Sequence, residues 1–141
     1  MVQTWNAKDF IITVGPYILD GFGESDTVSI AYTNEIFTKK SGVDGKVTRS
    51  KNNASEMAEV TVKLMQNSKA RAKIETLVAL DRNTDLWTYP ISILNPKLGI
   101  TYIGATAWLE KDPDETVAQE VGEVEYMFAV EELKRTIAAV P

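Results

Sequence analysis

The side chains that could do chemistry in this 141-residue chain are few in kind, because it contains no histidine and no cysteine. Imidazole bases, thiol nucleophiles, disulfides and the commonest zinc and iron–sulfur ligands are excluded at once. What is left is carboxylates, lysines, tyrosines and hydroxyls, which suit glycoside hydrolysis by paired acids or a Ser-Lys nucleophile. Glu123 and Glu125 alternate within one predicted strand and so share a face, an arrangement that can divide acid from base work. Solvated sheet glutamates are the simpler account of the same spacing. Asp112, Asp114 and Glu115 could attract a divalent cation, but they lack the spaced oxygens and turn glycine of a calcium loop. Gly21-Phe22-Gly23 is neither a full dinucleotide fingerprint nor a Walker loop, and a hairpin turn accounts for it. Trp5, Trp87 and Trp108 read as core or interface anchors rather than ligand-stacking rings. No catalytic residue, metal or cofactor is expected.

The elements that would position such groups are mostly strands. Phe10, Ile11, Ile12 and Val14 form an apolar, β-branched run that stops at Gly15-Pro16, and Tyr17 to Leu19 resumes it as a hairpin ending at Asp20-Gly21. Val28, Ile30 and Tyr32 alternate with small polar residues, as in a strand with one buried face. Met57 to Met65 alternates likewise, with Glu59 on its mixed, charged side. Ser68 is positioned to cap a helix with the apolar stripe Ala70, Ile74, Leu77 and Val78, broadened by Ala72, Ala79 and Leu80 and ending near Asp81 to Asn83. Leu86 to Leu94 is a strongly apolar strand in which Pro90 marks an edge, a bulge or a strand start. Ile100 to Leu109 is another strand, with Tyr102 and Trp108 on one side and Ile103 and Leu109 on the other. In the last one, Val124, Tyr126, Phe128 and Val130 alternate with Glu123, Glu125, Met127 and Ala129. Seven or eight strands and one helix, in the order strands, helix, strands, exclude a doubly wound fold. They predict a mainly β domain over residues 1–141, a small β-sandwich or barrel with one flanking α-helix.

Charge is distributed unevenly. The chain has 15 basic and 20 acidic residues, a net −5, which disfavours non-specific nucleic-acid binding. Residues 35 to 51 nevertheless hold Lys39, Lys40, Lys46, Arg49 and Lys51 against Glu35 and Asp44, a net +3. This stretch is poor in apolar residues and carries Asp44-Gly45 near its middle, so a β-arm projecting over about 35–53 is expected. Residues 110 to 132 hold nine acids against Lys111 alone, a net −8. In a repeating assembly the two regions would meet across a head-to-tail interface. Met1 to Phe10 is polar and charged where a signal peptide is apolar, and no stretch is apolar enough for a membrane helix, so a cytoplasmic origin without membrane association is expected.

Thr4-Trp5-Asn6-Ala7-Lys8-Asp9, the strand after it, Asp20-Gly21-Phe22-Gly23-Glu24, the arm around Gly42-Val43-Asp44-Gly45-Lys46-Val47-Thr48-Arg49-Ser50 and the strand before the Ser68 helix together resemble a tail tube protein of a contractile-tailed bacteriophage. Related contractile injection systems, bacteriocin tubes and secretion tubes are similar in fold. The resemblance implies a structural subunit, not an enzyme. It implies a homo-oligomer of hexameric rings stacked into a hollow tube through which DNA passes without specific binding. Sheath, baseplate and tape-measure proteins would be its partners, the virion tail its location, and the host cytoplasm its place before assembly. Carried over by position, the arm with Lys39, Lys40, Asp44, Lys46, Arg49 and Lys51 would contact the neighbouring ring. Strands near 57–65 and 122–131 would contribute to the lumen wall, with Glu59, Glu123 and Glu125 as its acidic residues. Another baseplate or head-completion component, or a bacteriocin or secretion tube subunit, is the alternative.

Overall fold

The computed structural model describes residues 5, 9–19, 28–85 and 88–138. Thr4, Asn6 to Lys8, the expected turns at Asp20-Gly21 and Gly21-Phe22-Gly23, and Leu86 and Trp87 lie outside the described residues. The elements run β1 (Ile11–Val14), β2 (Tyr17–Ile18), β3 (Val28–Tyr32), β4 (Phe37–Ser41), β5 (Val47–Lys51), β6 (Ala58–Met65), α1 (Ala70–Thr84), β7 (Tyr89–Asn95), β8 (Ile100–Leu109), β9 (Glu123–Val130) and β10 (Leu133–Ile137). Among the described residues, eight strands form one antiparallel sheet in the order β2-β1-β7-β8-β9-β6-β3, with β10 also on β8, while β4 and β5 pair only with each other. The fold is mainly β with one helix, as the alternation predicts. The strand missing from the sequence reading is β10, whose Leu133 is its only buried side chain and therefore gives no alternating signal.

One sheet encloses a core because it bends at a shared corner. Along β8, Ala107 and Leu109 face Val130 and Phe128 of β9, and Gly104 to Ile100 face Leu133 to Ile137 of β10 in the same continuing register. Val130 and Leu133 are both buried although three residues apart, and so are Gly104 and Ala107 on the facing strand. Both strands therefore exchange inner and outer faces between these points, with Glu131 and Glu132 exposed at the bend. The corner needs a glycine: a Cβ at Gly104 would lie 2.4 Å from Val130 Cγ1. The exchange also corrects the expected sides of β8. Tyr102 and Leu109 pack toward the core, whereas Ile103 and Trp108 are exposed. At the closing seam the Tyr32 hydroxyl donates to the Leu133 carbonyl at 2.8 Å, and Arg135 stacks over the Tyr32 and Tyr102 rings.

The other expectations resolve locally. Gly15, at φ +58°, makes the two-residue turn between Val14 and Tyr17 possible. Pro90 lies in an interior strand, and the register of β7 on β8 slips between Tyr89 and Ile91, so the bulge is the reading that holds. Helix α1 buries Ala70, Ile74, Leu77 and Val78, but Ala72, Ala79 and Leu80 face solvent, so its apolar stripe is narrower than expected. Lys69 holds the N-cap position, and the Ser68 hydroxyl one residue earlier accepts from the Ala70 amide at 3.2 Å. The helix ends at Asp85, whose left-handed backbone (φ 58°) turns its amide onto the Asp81 carbonyl.

Candidate assembly surfaces

The arm is a hairpin whose ten strand residues are all exposed. Its tip is a turn in which the Gly45 amide donates to the Gly42 carbonyl and Gly45 takes φ +84°, the conformation that a three-residue hairpin loop requires. Asp44 has a local role, its carboxylate accepting from the Lys46 amide at 3.2 Å. The register sorts the expected cations by face. Lys39 lies opposite Arg49, and Phe37 opposite Lys51, so these four share one side with Ser41 and Val47. Arg49 covers the Phe37 ring at 4.3 Å. Lys40 belongs to the other side, opposite Thr48, and Lys46 sits in the turn.

An isolated two-stranded hairpin is marginal in water, and like charges directly opposite each other weaken it further. The Lys39–Arg49 pairing is of that kind. It places two cations and an aromatic ring where an acidic, partly apolar surface would neutralise and cover them.

A second surface is the outer face of β3, β6, β9 and the end of β8. One row runs Ala31, Glu59, Ala129 and Trp108, and the next runs Ser29, Thr61 and Met127. Lys63 faces Glu125, with an ion pair at 3.5 Å, and Met65 faces Glu123. The register thus brings Glu59, Glu123 and Glu125 onto one face. Glu110, which the sequence reading placed only in an acidic link, joins them: burial and the neighbouring Glu59 push its carboxyl above the ordinary carboxylate range. The signal for Glu110 is tertiary, because 51 positions of chain separate it from Glu59.

The acidic region is less negative, and less unified, than its sequence count. Asp112 meets Arg82, Asp114 meets Lys111 and Glu132 meets Lys134. Arg71 grips both oxygens of Glu115, at 2.9 and 3.1 Å, holding that carboxyl below the ordinary range. The same guanidinium donates to the Tyr126 hydroxyl at 3.2 Å and to the Gln66 carbonyl at 2.8 Å. Glu131 and Glu132 fall beyond β9, at the end where the arm emerges, and Glu115 and Glu123 lie at the opposite end beside Gln66 and Met65.

Among the described residues the fold is a small bent β-sheet with a flanking helix and a hairpin that pairs only with itself. The chain matches the model of the bacteriophage PhiTE tail tube protein over residues 9–138, and it belongs to that family. It is a structural phage tail component, not an enzyme. No curated protein matches it. In fold it is similar to the tube-terminating cap of the anti-feeding prophage (TM-score 0.65, 11% identity, 98% of this chain and 95% of that one). It is similar also to a chain of the PVC sheath–tube complex of an extracellular contractile injection system (TM-score 0.62, 13% identity, 94% and 91%). A chain of the native gene transfer agent virion gives a TM-score of 0.62 at 13% identity over 96% of this chain and 100% of that one. At such identities the likeness is one of fold.

Proposed function

We propose that the chain is the repeating subunit of a tail tube, assembled as hexameric rings stacked head to tail and enclosed by a sheath. The observation that carries this reading is the arm, a fully exposed hairpin with like charges paired across it, which gains a stabilising environment only against another molecule. Among the described residues β3 stands at the end of the strand order, which supports lateral association, since such an edge is a template for a strand from a neighbour. The face carrying Glu59, Glu110, Glu123 and Glu125 is assigned to the lumen. With Lys63 offsetting Glu125, the face keeps a net excess of carboxylates that repels DNA phosphates, so DNA slides through without being held. In this reading the tube starts on a baseplate, forms around a tape-measure protein and grows from subunits made in the host cytoplasm.

Electron microscopy of the concentrated protein and of tails from the source lysate tests the reading. Six-fold rings and hollow tubes built from this chain are expected. Tails whose tube lacks the chain, together with a monomer that forms neither rings nor tubes, would refute it.

A further inference from the structure

The two ends of the β6–β9 pair offer different surfaces. The arm leaves the sheet after Tyr32 and returns at Ala58, where β9 finishes at Val130. At the other end Met65 faces Glu123, with the eight residues of β6 spanning about 26 Å between them. There the chain forms a loop with a clamped neck. The Gln66 side chain donates to the Thr116 carbonyl at 2.8 Å and accepts from the Gly122 amide at 2.9 Å, while Arg71 fixes Glu115 just outside the neck. Between the two clamped positions every residue is exposed, Val117 at 91% and Val121 at 50%, with Glu120 among them.

We propose that the clamped loop 116–122 is the socket for the Phe37–Lys39–Arg49 face of the arm on the next copy of this chain. The inference rests on the tube reading and adds to it the receiving surface. Three observations select a second copy as the occupant. The arm and the loop lie at opposite ends of the same strand pair, so the arm of one copy approaches the loop of the next whenever copies repeat along that direction. The arm face is apolar and basic, through Phe37 and Val47 beside Lys39 and Arg49, and the loop is apolar and acidic, through Val117 and Val121 beside Glu120, the neighbouring Glu115 being taken up by Arg71. Arm strands of five residues extend about 17 Å and are exposed along their whole length, so that face is open to a second copy. Gln66 and Arg71 act as positioning residues: they shape the loop before the arm arrives, which lowers the cost of ordering it on docking.

Because the chain has no cysteine, Val47→Cys combined with Val117→Cys supplies the only thiol pair. A disulfide needs Cα atoms within about 7 Å. Oxidised tubes of the double variant should give a ladder of covalent multimers that a Val47→Cys, Ile18→Cys control lacks. Adding Gln66→Ala should weaken the ladder and speed hydrogen exchange in residues 116–122. Tubes without a ladder would overturn the socket and leave the tube reading standing, whereas wild-type protein that makes neither rings nor tubes would overturn the tube reading itself. If the cysteine variant does not assemble, a charge exchange decides. Lys39→Glu and Glu120→Lys should each raise the subunit concentration needed for tubes about fivefold, and together should restore it. Failure of the pair to restore assembly would reject the contact.

Discussion

Reversing Lys39 separates the two consequences of the arm's register, because the charge proposed to serve assembly works against the hairpin. Lys39 faces Arg49 directly across β4 and β5. In Lys39→Glu the like-charge pair becomes an opposite-charge pair, and the free arm gains about 0.5–1 kcal/mol. In a stacked tube the same change replaces an attraction to the neighbouring acidic loop by a repulsion, about 1 kcal/mol for one exposed contact. Six arms act together at each boundary of the proposed ring, so the loss is about 6 kcal/mol, on the order of a 10⁴-fold fall in the ring–ring association constant. Two measurements read the two effects. Hydrogen exchange over residues 37–51 of the unassembled subunit should slow, while tube length by electron microscopy at low ionic strength should fall to single rings or short stacks. Raising salt toward 1 M shrinks the screening length to about 3 Å and should narrow the difference between variant and wild type. Wild-type tube length at low salt, or a less protected arm in the free subunit, would refute the reasoning.

Glu123→Lys with Glu125→Lys should leave tubes intact but increase the DNA they retain after disruption of filled tails, measured by nuclease-resistant DNA; unchanged retention would remove these residues from the lumen wall. Gly104→Ala should destabilise the subunit by about 1–3 kcal/mol, because the added carbon meets the stiff, fully buried Val130, and a wild-type urea midpoint would contradict the corner geometry. Burial pushes the Tyr89 phenol up to about 12 from its ordinary 10.0, and its hydroxyl, although beside the Leu109 backbone, completes no hydrogen bond among the described residues. The folded state therefore keeps this proton where the unfolded chain loses it, so stability is intact below pH 10 and declines by about 3 kcal/mol as pH rises toward 12. Tyr89→Phe should flatten that alkaline decline in pH-dependent urea titrations; an unchanged slope would assign the loss to other groups.

The strands legible in the sequence are those with one face in the core and one in water, because that asymmetry writes a period of two into the residues. β3, β6 and β9 are of this kind, and Asp44-Gly45 marks the arm's tip because only a few residues tolerate that backbone. β8 and β10 were harder to read. Their faces exchange at the corner, so Tyr102 and Trp108, an even number of residues apart, end on opposite sides. Of the residues proposed to serve assembly, the cations of the arm and the acids of β6 and β9 are visible in the sequence, but not their sorting. Which cations share a face, and the addition of Glu110 to Glu59, follow from pairing across strands.

Composition and alternation fixed that this is a β-rich chain without imidazole or thiol chemistry and with a basic arm set against acidic strands, because those properties belong to residue types and to their local periodicity. The tertiary structure decided where the charges stand: it neutralised Asp112 and Glu115 with helix arginines and placed the arm and the Gln66-clamped loop at opposite ends of one strand pair. Such relations depend on strand register, which is set by packing between residues distant in the chain and leaves no local trace.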